Sequence, residues 1–230
     1  TKRVILVLIL LLCAAAFGVL FGYRATKQKS ANEKYEELAK TATDIQPDKE
    51  EEKEGILKDL NIPVPDKNIN WDMVKAENPD IYAWIYIPNT NVDYPVLQHP
   101  TDDEYYLRHN FKKEEDLFGC IFLEHNNKKD LTGSHSIIYG HNMEGNMMFA
   151  NLNRYEQPEF LKLCPEIEIL TPGRKFLYRI FSVEQASSHS PAFEYGYELS
   201  SSAYKRQLSV LKNNSMYDTG VEPDETERMV

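Results

Sequence analysis

Apolar and polar positions change character three times along this chain. Val4 to Tyr23, VILVLILLLCAAAFGVLFGY, carries no charge and is long enough to cross a bilayer as one helix. From Arg24 to about Asn70, charged and small polar residues take over. Ala25 to Lys40 is made of helix formers with few apolar positions, chiefly Tyr35 and Leu38. Asp48 to Glu54 is a mixed-charge run, and Ile56, Leu57 and Leu60 then give one apolar helical face. Ile62-Pro63-Val64-Pro65 ends any helix. This middle region reads as a partly helical, solvated stalk.

Beyond Asn70 the pattern is that of a packed domain. Asn70 caps a short helix that starts at Trp71 and stops before Pro79. Ile81 to Ile87 is dense in β-branched and aromatic residues and is followed by the turn Pro88-Asn89-Thr90-Asn91. Val92 to Gln98 forms the next strand, where Pro95 argues for an edge or a bulge. Further strands are expected at Gly119–Glu124, Ser136–Tyr139, Glu166–Leu170 and Lys175–Glu184, the last apolar on both faces. Helices are expected at Met147–Tyr155 and Ser200–Asn213, the second with Tyr204, Leu208 and Leu211 at helical spacing. Many short strands and few helices predict a mostly β barrel or sandwich with flanking helices.

Composition narrows the partners. The net charge is −10, and no basic stripe follows residue 30, which excludes a nucleic-acid partner because phosphate binding needs clustered Lys and Arg. A content of 42% hydrophobic residues and 11% aromatics suffices for a core in a chain of 230 residues. The apolar run admits two readings, a retained anchor or a signal peptide cleaved at Ala14-Ala15-Ala16. Its continuation through Phe17 to Phe21 favours the anchor. Lys2 and Arg3 before it and Arg24, Lys27 and Lys29 after it leave the orientation open.

Cys13 lies in the apolar run, leaving Cys120 and Cys164 in the polar part. They lack metal-ligand spacing; an extracellular setting would allow a disulfide between them, a pairing whose geometry no sequence establishes, and two half-buried small residues is the plainer reading. Asp218-Thr219-Gly220 spells an aspartic-protease triplet. That chemistry needs two carboxylates sharing a proton, and the polar surroundings make a loop the better reading. No H-E-x-x-H or G-x-S-x-G motif is present. Of the six histidines, His99, His109, His125 and His189 sit in polar loops, and His135 precedes a strand. His141 differs: Ser136-Ile137-Ile138-Tyr139-Gly140-His141-Asn142-Met143 is a strand that runs into Gly-His-Asn and delivers a titratable ring to the rim of a sheet.

That stretch belongs to a longer series: Ile69-Asn70-Trp71-Asp72, Asn78-Pro79-Asp80, Trp84-Ile85-Tyr86-Ile87-Pro88, Asn91-Val92-Asp93-Tyr94-Pro95-Val96, Tyr105-Tyr106-Leu107, Gly119-Cys120-Ile121-Phe122-Leu123 and Ser215-Met216-Tyr217-Asp218. In this order the series resembles a class B sortase, a membrane-anchored cysteine transpeptidase of Gram-positive bacteria. The resemblance implies an eight-stranded β-barrel over residues 70–230, with a transmembrane signal anchor at 1–23 and a charged stalk at 24–69. It also implies a single-pass membrane protein with its barrel outside the cell, held through residues 4–23.

The activity implied is cleavage of an Asn-Pro-x-Thr-like sorting motif in surface proteins and their transfer to a peptidoglycan precursor amine. No metal or organic cofactor is implied. His141 matches the family histidine. Leu107, His189, Phe193 and Glu194 fall near substrate-facing positions, with packing the competing role for Leu107 and Phe193. The family nucleophile lies in Thr-Leu-x-Thr-Cys just after residues like Glu227-Arg228-Met229-Val230, and an oxyanion-stabilising arginine follows on the next strand. Both are expected beyond Val230, so the polypeptide as written is expected to be C-terminally incomplete and inactive. A truncated enzyme is favoured over a pseudoenzyme because a barrel without its last strand keeps an open edge. The alternative reading is a non-catalytic membrane-tethered β domain that binds wall-associated peptides.

Overall fold

The computed structural model describes residues 2–43, 67–129, 131–143 and 145–230, with side chains from residue 13 onward. It divides into two compact units, Thr1–Leu38 and Ala39–Val230. Helix α1, Lys2–Ala42, joins the apolar run to the polar stretch after it without a break, as a segment rich in helix formers and free of proline allows. Phe17, Val19, Leu20 and Phe21 on it are 63–72% exposed. Among the described residues no helix is long and apolar enough to cross a membrane. The run at 48–54, the apolar face at 56–60 and the prolines at 63 and 65 lie outside the described residues.

The second unit opens where Thr43 bridges Ile69. Helix α2, Trp71–Glu77, starts as expected, with the Asn70 side chain accepting from the Met73 amide at 3.1 Å. Strands β1 (Ile81–Tyr86) and β2 (Asp93–Leu97) form an antiparallel hairpin. Its turn is closed by the Thr90 hydroxyl, which donates to the Ile87 carbonyl at 2.8 Å and accepts from the Val92 amide at 3.0 Å. Asn89 takes the positive φ of 58° there, a conformation Asn tolerates better than most residues.

β2 also pairs in parallel with β3, Ile121–Leu123, which pairs antiparallel with β4, Ile138–Tyr139. On the other side β1 pairs with β5, Glu166–Thr171, and β5 with β6, Arg174–Arg179. The result is one sheet of six strands in the order β4-β3-β2-β1-β5-β6. Helix α3, Pro158–Leu163, precedes β5, and α4, Ser202–Asn214, follows the long loop after β6.

The barrel, expected without its last strand or strands, is represented among the described residues by a sheet of six strands with β4 and β6 at its ends. Two expectations need correction. Pro95 lies in an inner strand, because the parallel ladder to β3 begins only at Val96 and the imide nitrogen is not asked for a hydrogen bond; the bulge falls instead between Ile81 and Ala83. The strand expected at 175–184 ends at Arg179, and it is exposed or half-buried throughout rather than buried on both faces. Phe176, Tyr178, Ile180 and Phe181 line an open cavity of about 830 Å³ that Tyr204, Met229 and Val230 border from the other side.

The core therefore sits on the β1–β2–β3 side. Ile81, Trp84, Ile87, Val96, Leu97, Ile121 and Leu123 are all buried there. A smaller cluster of Tyr204, Leu208, Leu211 and Met229 ties α4 to the last residues of the chain.

Candidate active site

His141 stands two residues past β4, and the strand end is built around it. Gly140 comes first: a Cβ there would fall 2.3 Å from Ile121 Cδ1 and 2.7 Å from the Phe149 ring. Only glycine lets β4 lie this close to β3 and to the turn that follows. The His141 carbonyl then accepts from the Phe149 amide at 2.9 Å, folding the chain back on itself. Asn142 and Asn153 exchange amide hydrogen bonds at 3.0 and 3.1 Å and close the same loop.

The imidazole is held as firmly as the backbone. His141 Nε2 lies 2.8 Å from the Leu107 carbonyl oxygen. A carbonyl can only accept, so Nε2 carries a hydrogen, and Nδ1 is the nitrogen left to take up or release a proton. Leu107 thus serves the histidine through its backbone. The segment that carries it, Tyr105–Leu107, is a 3-10 turn pinned from two directions.

From one side, the buried Tyr106 hydroxyl donates to Asp80 Oδ2 at 2.6 Å and accepts from Asn78 Nδ2 at 2.9 Å. Burial pulls the Asp80 carboxyl upward, but hydrogen bonds from Lys113 and Tyr106 outweigh it and hold the group below the ordinary aspartate range. Burial and the Asp80 carboxylate together push the Tyr106 phenol far upward, so it stays a donor. From the other side, the Cys120 amide donates to the Tyr106 carbonyl at 2.8 Å. Gly119 (φ 56°) permits that approach, since a Cβ there would lie 2.5 Å from the Tyr106 oxygen and 2.7 Å from the Leu107 oxygen.

The other sequence candidates, His189, Phe193 and Glu194, lie on the loop between β6 and α4. Phe193 stacks on Tyr139, two residues before His141, with centroids 6.4 Å apart and planes 5° apart, an offset aromatic arrangement. Tyr139 stacks in turn on Phe122 at 5.5 Å. The Glu194 carbonyl meets His135 Nδ1 at 2.7 Å, while its carboxylate accepts from the Tyr197 hydroxyl. His189 is exposed and contacts its neighbours Ser187 and Ser188.

The remaining histidines are more engaged than polar loops suggested. His99 and His109 sandwich the Tyr105 ring at 4.5 and 4.0 Å, and His125 pairs with Asp103 at 2.6 Å. Both cysteines of the second unit are buried, and neither is in a disulfide. The Cys120 thiol donates to the His109 carbonyl at 3.3 Å and the Cys164 thiol to the Pro88 carbonyl at 3.2 Å. Burial pushes the Cys164 thiol upward, the opposite of what a nucleophile needs. Asp218-Thr219-Gly220 is a local turn, with the Gly220 amide donating to Asp218 Oδ1 at 2.9 Å.

Sequence reasoning passed over Tyr139, His135 and the strand pairing at the end of the chain. Met229 bridges His135 in parallel: its amide donates to the Ser134 carbonyl at 2.9 Å and its carbonyl accepts from the Ser136 amide at 3.0 Å. Parallel pairing between segments 94 positions apart leaves no local mark on a sequence.

A histidine fixed through Nε2 just past the end of an edge strand that carries a Tyr139–Phe193 stack is a candidate acid–base group. Comparison with known proteins agrees with that class. The family model described as the Sortase domain matches residues 85–218. This chain belongs to the sortase family. Its likeness lies with the class B members: it is 31% identical over 153 residues to Sortase B of Listeria monocytogenes, covering 66% of this chain and 61% of that protein. The crystal structure of Clostridium perfringens sortase B superposes with a TM-score of 0.63 at 30% identity, over 69% of this chain and 87% of that one. The Staphylococcus aureus sortase B–substrate complex shares the fold, with a TM-score of 0.72 at 24% identity over 89% and 88% of the two chains. The aligned part of this chain thus spans 61% of the length of the Listeria protein.

Proposed function

We propose that this chain is the larger part of a class B sortase, a cysteine transpeptidase that cleaves an Asn-Pro-x-Thr-like motif in surface proteins and joins them to a peptidoglycan amine. The observation that carries the reading is the parallel pairing of Met229 with His135. Parallel strands advance level with each other. Residues following Val230 in the full-length protein would therefore run beside β4, and a side chain about six positions past Met229 would come level with His141. The nucleophilic cysteine of the family motif belongs there, followed by the oxyanion arginine on the next strand.

In this mechanism a thiolate attacks the threonyl carbonyl, and the tetrahedral intermediate expels the amine of the next residue as the C–N bond breaks. His141, tied through Nε2 to Leu107, protonates that leaving amine from Nδ1. The resulting thioester is then attacked by the incoming amine, whose proton returns to Nδ1 as the thiolate departs. Leu107, Phe193, Glu194 and His189 are proposed to line the groove, with the Tyr139–Phe193 stack as its apolar side. The uncharged run at 4–23 is proposed as the membrane anchor and 24–69 as the stalk, with the domain outside the cell. The exposed apolar side chains at 17–21 support the anchor, because a patch of that size needs an apolar environment.

The test is His141→Ala in the full-length protein. Transpeptidation of a sorting-motif peptide is expected to fall below detection while circular dichroism and Tm stay at wild-type values. Unchanged turnover would refute the assignment.

A further inference from the structure

The loop between β6 and α4 meets the edge of the sheet at several residues between 193 and 197. The Phe193 ring lies on Tyr139. The Glu194 carbonyl takes a hydrogen bond from His135 at 2.7 Å. The Tyr195 hydroxyl lies near Glu124 and Asn126 beyond the end of β3, and the Tyr197 carbonyl accepts from the Ser134 hydroxyl. Tyr195 is 39% exposed, whereas Ser134 and His135 are 7% and 9% exposed. The buried ties come from the Ser134–His135 pair, the segment that also pairs with Met229.

Resting on the sortase reading above, we infer that His135 is a positioning residue that pins the Pro191–Tyr197 wall over the edge carrying His141, and so sets how tightly an extended peptide is held. His135, six residues upstream of His141 in the sequence, reaches the wall with its side chain, while its flanking residues Ser134 and Ser136 hydrogen-bond the Met229 backbone. The short segment Ser134–Ser136 therefore couples wall, edge strand and C-terminal segment. The bond to Glu194 needs a hydrogen on Nδ1, since a carbonyl only accepts. Burial holds the His135 ring below the ordinary histidine range and keeps it neutral. Nearby polar groups are engaged elsewhere: the Glu194 carboxylate with Tyr197, Tyr204 with the Ser134 and Glu227 carbonyls, and Arg228 with the Thr132 carbonyl.

Two isosteric substitutions test this in the full-length protein. Asn presents its amide nitrogen where Nδ1 stands, and Gln presents it where Nε2 stands. His135→Asn is expected to keep the amides of residues 190–199 as protected from hydrogen exchange as in the wild type, with KM for a sorting-motif peptide unchanged. His135→Gln is expected to speed exchange in that segment and raise KM about three- to tenfold, the effect of one neutral hydrogen bond, while kcat stays within about twofold. Equal behaviour of the two variants, or a fall in kcat with KM unchanged, would overturn the proposal. The exchange measurement stands even if the full-length protein turns over no peptide, an outcome that would refute the sortase reading alone.

Discussion

The two edges of the sheet are built to opposite standards. At the β4 edge the His141 carbonyl accepts from the Phe149 amide, Gly140 and Gly119 permit close contacts, and the ring is held by the carbonyl of a pinned turn. At the β6 edge the strand is half-exposed, Leu177 is 55% exposed, and the inner face looks into a cavity of about 830 Å³. One end strand carries a fixed histidine, and the other leaves apolar surface exposed. Open, apolar sheet edges are liabilities that folded proteins cover, and β6 shows more exposed surface than the short strand leading to His141.

Substitutions at the two edges should differ in size. Gly140→Ala drives a methyl into Ile121 and Phe149, and overpacking of this kind is expected to cost about 3 kcal/mol. Chemical denaturation would show it as a lower midpoint with an unchanged slope. A loss below about 0.5 kcal/mol would mean that the close approach of β3 and β4 is not required. Tyr106→Phe, one step further from His141, removes the hydroxyl shared by Asp80 and Asn78 and is expected to cost about 1–2 kcal/mol.

That variant should also change the acid limb of stability. Asp80 lies below its unfolded value near 3.9. Its contribution is therefore present above that pH and is lost as pH falls through the lower folded value. Removing the Tyr106 hydrogen bond should raise the folded pKa and make the loss begin at higher pH, as a urea series between about pH 2.5 and 5 would report. The smallest effect belongs to the open edge, where Leu177→Ser should change stability by less than about 0.5 kcal/mol. A cost above 1.5 kcal/mol would mean that β6 is already packed.

The contrast also explains what the sequence revealed. β1, β2, β3 and β5 were legible because buried strands are rich in Val, Ile and aromatics and are punctuated by turn residues. The ends of helices α2 and α4 were legible from Asn70 and from the serines before Tyr204, which cap them. His141 stood out because a strand running into Gly-His-Asn is unusual. β6 misled: alternate apolar residues over 175–184 read as burial, but burial depends on partners that no local pattern reports. Tyr106, Leu107 and Gly119 escaped notice as supports because they act through backbone oxygens and close approach, which any side-chain reading of the sequence misses. His135 looked like a turn residue for the same reason, its partner being a carbonyl 59 positions away.

The central claim is that His141 works on a thiol carried into place by the strand that Met229 begins. The most direct test is to incubate full-length protein with a sorting-motif peptide, digest it, and map the acylated residue by mass spectrometry. The account predicts a thioester on a cysteine within about six residues after Val230, accumulating when no amine acceptor is added. An adduct on Cys120 or Cys164, or no adduct on any cysteine, would contradict it.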